Sequence, residues 1–353
     1  MMTVLFFVAG LVCLVGGAEL LLKGATRLAR FLGISPLVIG LTVVAFGTSS
    51  PELAVSVKAA LADKAGLAIG NVVGSNIFNV LFILGLSALI IPLTVSKQLI
   101  RFDVPLMILL SLGLFLLALD GRIGRLDGLL LTFGLIAYTS YLIYQSRKEP
   151  LSSSQTSLPE GTTWLWNGLL IILGLAMLVL GSHWLVNSAV SFAQALGISE
   201  LIIGLTIIAA GTSLPEVVTS VMAALRGERD IAVGNVVGSN IFNIMGVLGA
   251  AGLLAPSGIE VSRAVLYFDL PVMIAVAFAC LPIFFTGGVI SRQEGGLFFA
   301  YYLAYTLYLI LVAVQHDSLP ALSVMLGYFV IPLTALTLGI ISLREMVGRK
   351  TQG

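Results

Sequence analysis

Gly70-Asn71-Val72-Val73-Gly74-Ser75-Asn76-Ile77-Phe78-Asn79 recurs without a change as Gly234 to Asn243. Two further segments keep the same spacing. Gly33-Ile34-Ser35-Pro36-Leu37-Val38-Ile39-Gly40-Leu41-Thr42 returns as Gly197-Ile198-Ser199-Glu200-Leu201-Ile202-Ile203-Gly204-Leu205-Thr206. Gly47-Thr48-Ser49-Ser50-Pro51-Glu52 returns as Gly211-Thr212-Ser213-Leu214-Pro215-Glu216. From Gly33 to Gly197, Glu52 to Glu216 and Asn79 to Asn243 the offset is 164 residues, so the chain contains a duplication.

The surroundings of the repeats are apolar. Hydrophobic residues make up 58% of the 353 residues and charged residues 10%, with a mean hydropathy of +1.09. A soluble domain carries about 25% charged residues, so lipid is the expected solvent. A net charge of +1 without a long basic run offers nothing to a nucleic acid, and no feature implies a protein partner or a cofactor. Cys13 and Cys280 lie inside apolar runs and read as small core residues. The first apolar stretch, 3–22, lacks a basic start and a clear cleavage site, and reads as a retained span.

A membrane helix needs about 20 mostly apolar residues. Eleven stretches qualify: 3–23, 36–61, 66–92, 102–119, 126–145, 164–187, 200–225, 230–255, 264–285, 294–314 and 319–343. With the N-terminus outside, 13 of the 18 Lys and Arg residues fall in cytoplasmic segments and 5 outside, as the positive-inside rule requires. The expected division is a first repeat over 1–146, a cytoplasmic linker over 147–163, a second repeat over 164–315, and an extra helix with a cytoplasmic tail over 316–353. Five spans per repeat is an odd number, so the second copy crosses in the opposite sense. The fold class is an all-α polytopic membrane protein, with inverted five-helix repeats (ten transmembrane helices) plus one extra C-terminal helix. Inverted repeats are typical of secondary transporters, which bind substrate near the midplane where the copies meet.

Glu52 and Glu216 are the costly residues. A carboxylate at depth costs at least about 2.5 kcal/mol even on permissive scales, and neither span offers a basic residue at similar depth. Pro51 and Pro215 each remove a backbone donor, which is expected to free carbonyls about one turn earlier, at 45–47 and 209–211. Thr48, Ser49 and Glu52 share a helix face by spacing, as do Thr212, Ser213 and Glu216. On the next helix Asn71, Ser75 and Asn79 form a polar stripe, matched by Asn235, Ser239 and Asn243. Asn71 and Asn235 are open to two readings, as cavity lining or as ties between helices. Glycines 70, 74, 234 and 238 allow close helix approach. Every donor atom in the set is oxygen. That disfavours zinc and copper and suits calcium, which takes 6–8 oxygens. Two ionised Glu residues balance one Ca²⁺, and Na⁺ ions can compete for the same oxygens.

The paired Gly-Thr-Ser-x-Pro-Glu and Gly-Ser-Asn-Ile-Phe-Asn motifs resemble the alpha repeats of the cation/calcium exchanger superfamily, in particular its prokaryotic sodium/calcium exchangers. The resemblance covers roughly 33–92 and 197–255 and the ten-helix layout around them. It implies Ca²⁺/Na⁺ antiport by alternating access in an inner (plasma) membrane; the count of eleven spans puts the C-terminus in the cytoplasm. It also implies that Ala45 and Ala209 lend carbonyls to the ions. Thr48, Ser49, Glu52, Ser75 and Asn79 would bind ions from one repeat, and Thr212, Ser213, Glu216, Ser239 and Asn243 from the other. The first and sixth helices would slide over this core. Some relatives carry Asp at the position of Asn243, and the potassium-dependent branch links that Asp to potassium; Asn243 argues against potassium co-transport. The linker is too short for the large calcium-sensing domains of animal exchangers, and the eleventh helix exceeds the usual ten.

Calcium/proton antiport is the main alternative, because the same carboxylates can carry protons. A hydroxyl-rich shell favours sodium. A channel does not require inverted, kinked repeats, and HExxH, Gly-x-Ser-x-Gly and nucleotide-binding loops are missing, which disfavours an enzyme. Asp103 and Asp269, each one residue before a Val-Pro or Leu-Pro pair, read as helix caps. Glu19 and Lys23 read as a local ion pair. Gly16, Gly17, Ala18, Gly181 and Ser182 read as the smooth surface on which the first and sixth helices slide. Trp164, Trp166 and Trp184 suit the interface, Tyr301, Tyr302, Tyr305 and Tyr308 suit packing, and His183 and His316 have no assigned ligand role.

Overall fold

Proline and glycine place the breaks between long apolar helices. The computed structural model describes residues 2–62, 64, 66–148, 163–285, 287–316, 318–327 and 339. Helix α1 (Met2–Leu32) stops at Gly33, whose φ of +67° suits glycine. Ser35 then caps α2 (Pro36–Thr48), accepting a hydrogen bond from the Val38 amide. At Ser49 the chain bends by 47° into α3 (Ser50–Leu61), with Pro51 in its first turn. Helices α4 (Gly66–Ile90), α5 (Leu99–Asp120) and α6 (Arg125–Lys148) complete the first repeat. The second runs through α7 (Trp164–Ala195), α8 (200–211), α9 (Leu214–Leu225), α10 (Arg229–Leu254), α11 (Val265–Phe285) and α12 (Arg292–Ala313). A short α13 (Leu319–Met325) follows.

Within the two repeats, wide π-type turns interrupt six places among the described residues, related in pairs by the duplication: 40–44 with 204–208, 79–84 with 243–247, and 99–103 with 265–269. Such turns concentrate at functional sites.

The inversion is visible in close contacts. A Cβ on Gly10, Gly17 or Gly24 would lie 2.8–2.9 Å from the carbonyl oxygen of Gly181, Gly174 or Asn167 respectively. Seven residues forward on α1 match seven residues backward on α7, so these helices lie antiparallel with touching backbones. Gly85 meets Gly295, and Gly128 meets Gly249, as equivalent contacts of opposite repeats. Strand β1 (Leu93–Thr94) pairs antiparallel with β4 (Val289–Ile290), and β2 (Arg122–Ile123) with β3 (Ile259–Glu260), so each pair joins one repeat to the other. Helices α10 and α4 are the most buried and form the centre; α12 is the most peripheral.

Among the described residues eight helices are long and apolar enough to cross a membrane, or nine with α2 and α3 counted as one bent span. The chain is a multi-pass membrane protein. The expected count of ten plus one is not reached on this criterion, because the break before Leu214 leaves α9 only 12 residues long. Most of the expected linker, 149–162, and most of the expected eleventh span and tail, 328–338 and 340–353, lie outside the described residues.

Four expectations are corrected. Gly17 and Gly181 do not form a smooth face toward the core; they fasten α1 to α7. Gly234 and Gly238 do admit close approach, with a Gly238 Cβ 2.7 Å from Leu41 backbone, whereas Gly70 and Gly74 have open space beside them. Asp103 makes no cap bond. The helix continues through it by a wide turn, and its carboxylate accepts from Tyr138 at 2.9 Å and Gln98 at 3.2 Å. Asp269 likewise accepts from Tyr305 at 3.1 Å, which gives Tyr305 a polar role beside packing. Glu19 reaches across to Arg226 at the end of α9, 2.6 Å away, rather than along its own helix to Lys23. Both groups are about half exposed, so the pair is worth only about 0–1 kcal/mol.

Candidate cation-binding site

The bends at Ser49 and Ser213 bring the two duplicated segments face to face. Both serines sit near φ −85°, ψ +8°, the sparsely populated region next to helix. Each hydroxyl is thereby turned toward the other repeat. Ser49 Oγ donates to Glu216 Oε1 and Ser213 Oγ donates to Glu52 Oε1, both at 2.8 Å. Each carboxylate is therefore held by the opposite repeat. Sequence spacing placed Ser and Glu on one face of one helix and did not reveal this exchange. Ser213 Oγ also lies 3.3 Å from Ser75 Oγ.

Glu52 and Glu216 are 0% and 1% exposed, and the described residues supply neither with a basic partner. Their Oε2 atoms are buried and make no hydrogen bond. The same holds for Thr212 Oγ1, Ser239 Oγ, Asn79 Oδ1 and Asn243 Oδ1. An orphaned buried polar atom normally costs about 1–3 kcal/mol. These six orphaned oxygens belong to residues singled out in the sequence, and oxygen acceptors of this kind suit a cation of the calcium or sodium type; Ser87 Oγ, Thr219 Oγ1 and Asn167 Oδ1 are unpartnered as well. Among the described residues no cluster of three His, Cys, Asp or Glu side chains exists that would hold a transition metal.

The expected free carbonyls are mostly covered. Ala45 O accepts the Ser49 amide at 3.0 Å and Thr48 Oγ1 at 3.4 Å. Gly47 O, which loses its partner to Pro51, accepts Ser50 Oγ at 2.8 Å. The second repeat has Leu214 in place of Ser50. There Gly211 O accepts Ser182 Oγ from α7 at 2.6 Å, and the residue equivalent to Ser182 in the first repeat is Ala18. One serine was moved from the bend to a neighbouring helix, and the acceptor left by the proline is satisfied in both copies.

Asn71 and Asn235 are ties. Asn71 Nδ2 donates to Ser56 Oγ at 3.0 Å, and Asn235 Nδ2 to Ser220 Oγ at 2.9 Å, while Asn235 Oδ1 accepts from Thr48 at 3.1 Å. The repeats are not packed alike. Ala45 is fully buried against α10, whereas Ala209 is exposed, and Gly204 has open space where Gly40 touches Ile231. Helix α8 stands off the core on its side of the site, and α2 does not.

Inverted, bent repeats that meet at two buried carboxylates are the architecture of a membrane transporter, and the relatives of this chain are exchangers and antiporters rather than enzymes. The chain belongs to the sodium/calcium exchanger protein family, whose model matches residues 2–144 and 166–311. It is 35% identical over 345 residues to the sodium/calcium exchanger MaX1 of Methanosarcina acetivorans, covering 86% of this chain and 98% of that one. It is 38% identical over 285 residues to the inner membrane protein YrbG of Escherichia coli, covering 78% and 86%. Its structure matches that of the sodium-calcium exchanger NCX_Mj soaked with 10 mM Na⁺ and zero Ca²⁺, with a TM-score of 0.74, 31% identity, and coverage of 88% of this chain and 98% of that one.

Proposed function

We propose that this protein exchanges Ca²⁺ for Na⁺ across an inner (plasma) membrane by alternating access. The observation that carries the reading is the pair of buried carboxylates, each anchored by the opposite repeat and each left with one unpartnered oxygen among unpartnered hydroxyl and amide oxygens. Glu52 and Glu216 balance the charge of Ca²⁺. Thr48, Ser49, Ser75 and Asn79, with Thr212, Ser213, Ser239 and Asn243, complete the shell, and Ala45 and Ala209 are its candidate backbone ligands, Ala45 only by sharing a carbonyl that already accepts the Ser49 amide. Counting α8 with α9 as a broken span, like α2 with α3, gives ten crossings.

Calcium uptake into liposomes is expected to need a sodium gradient and to be indifferent to potassium. A proton needs only the carboxylates, whereas the unpartnered hydroxyl and amide oxygens suit a metal ion. Uptake that follows a proton gradient and ignores sodium would establish calcium/proton exchange instead. Potassium dependence would contradict the reading of Asn243.

The reading takes the N-terminus as outside and the C-terminus as cytoplasmic, supported by the 13-to-5 split of Lys and Arg. A single cysteine introduced within 152–157, or after Arg349, is expected to react with a membrane-impermeant thiol reagent only in opened cells. Labelling of either position on intact cells would reverse the orientation or change the number of crossings.

A further inference from the structure

Four asparagines meet where α4 and α10 cross at the centre of the molecule, and all are at most 2% exposed. Asn76 Nδ2 donates to the backbone carbonyl of Asn240 at 3.2 Å, and Asn240 Nδ2 to the backbone carbonyl of Asn76 at 3.3 Å. A backbone carbonyl can only accept, so these bonds decide which way each amide is turned. The Oδ1 atoms of Asn76 and Asn240 must then face their other neighbours. They accept from Asn243 Nδ2 at 3.1 Å and Asn79 Nδ2 at 3.0 Å. That in turn consumes the N–H side of Asn243 and Asn79, and their Oδ1 atoms are left buried and unpartnered. Asn240 Nδ2 also lies 3.5 Å from Met107 Sδ, a weak acceptor consistent with the same orientation.

We propose that Asn76 and Asn240 are positioning residues that lock Asn243 and Asn79 with their carbonyl oxygens toward the transported cation. The proposal rests on the site reading above and deepens it. A free asparagine can present either its oxygen or its NH₂ group. Turned the wrong way it would withdraw a ligand and aim two N–H dipoles at the ion. The relay runs from a backbone carbonyl, through the amide of Asn76 or Asn240, to the liganding amide, and the duplication builds it twice. It delivers two neutral oxygens and keeps the formal charge of the shell at that of the two glutamates.

The test uses Asn79→Asp as a rescue. A carboxylate presents oxygen whichever way it turns, so it has no need of an orienting partner. Asn240→Leu is expected to weaken calcium binding, measured by calorimetry on the purified full chain in detergent, by about tenfold or more, equivalent to about 1.4 kcal/mol. Adding Asn79→Asp to that variant should bring binding back to within about threefold of wild type. Asn79→Asp alone should not tighten binding, because its carboxylate then faces the Oδ1 of Asn240, acceptor against acceptor. A purely structural role for Asn240 predicts instead that the two changes act independently. Wild-type affinity in Asn240→Leu, the same effect of Asn79→Asp with and without Asn240, or tighter binding by Asn79→Asp alone, would each overturn the proposal. If Asn240→Leu does not fold, Asn76→Leu with Asn243→Asp repeats the cycle in the other half, and Asn79→Asp alone still decides. Failure of the underlying site would look different: Glu52→Gln would retain calcium binding.

Discussion

Glu52→Gln and Glu216→Gln should each reduce sodium-driven calcium uptake to near background. In either variant the serine of the opposite repeat keeps an oxygen to donate to, so the 2.8 Å bond between repeats can survive. The charge balance cannot. One remaining carboxylate faces a divalent ion; at 4 Å and an effective dielectric constant of about 20 the lost attraction is about 8 kcal/mol, and relief of the repulsion between the two carboxylates returns roughly half of it, a net loss of about 4 kcal/mol. That is nearly a thousandfold in affinity. The amide nitrogen would also stand where an oxygen of the shell is needed, or would contest the serine hydroxyl. Radioactive calcium uptake into sodium-loaded liposomes, with calorimetry on the purified protein, reads both consequences. Near-normal uptake by either variant would remove these residues from the site.

Gly17→Leu should slow exchange by about tenfold or more while leaving calcium binding within about threefold of wild type. A Cβ at Gly17 already falls 2.8 Å from Gly174 O and 2.9 Å from the Leu178 amide. Neither backbone group can yield without moving a helix, and overpacking of this kind costs about 1–3 kcal/mol. The damage falls on the fastening of α1 to α7, away from the carboxylates. An empty site with two like charges in a weakly screening interior is costly to carry past a hydrophobic seal, so only the loaded protein should switch, and it needs α1 and α7 to move together. Gly16→Leu is the control. Its Cβ meets only the flexible end of Met177, at 3.1 Å, so its effect should be much smaller. Equal loss of binding and exchange in Gly17→Leu, or equal effects of the two variants, would argue against a paired moving unit. Steady calcium leak from wild-type vesicles with no exchangeable ion outside would argue against switching of the loaded form alone.

The glycine contacts also show where spacing misleads. Small residues at 16–18 and 181–182 signal close approach but do not say to what. For Gly17 and Gly181 the touching partner turned out to be the equivalent helix, whereas Ser182 bonds Gly211 beside the site. Glu19 illustrates the same limit, since Lys23 is near in sequence while Arg226, 207 residues away, makes the bond. Asn76 and Asn240 were within reach of the sequence. They recur in the unchanged ten-residue segment and lie three residues before Asn79 and Asn243, on a neighbouring face of the same helix. The four-residue stripe drew attention past them.

From the sequence alone came the duplication, the odd number of spans that inverts it, two carboxylates at lipid depth and a donor set made only of oxygen. These are properties of composition and of spacing along one helix, and the chain carries them before it folds. The tertiary structure decided which oxygen faces which. Ser49 bonds Glu216 and Ser213 bonds Glu52, Ser182 covers the carbonyl that Leu214 cannot, and Asn240 turns Asn79. It also decided that the copies differ. The ten residues at 70–79 and 234–243 are identical, yet Gly238 is pressed against Leu41 while Gly74 borders open space. Identical segments encode the same helix and the same face, so a difference between them can arise only from what is packed against them.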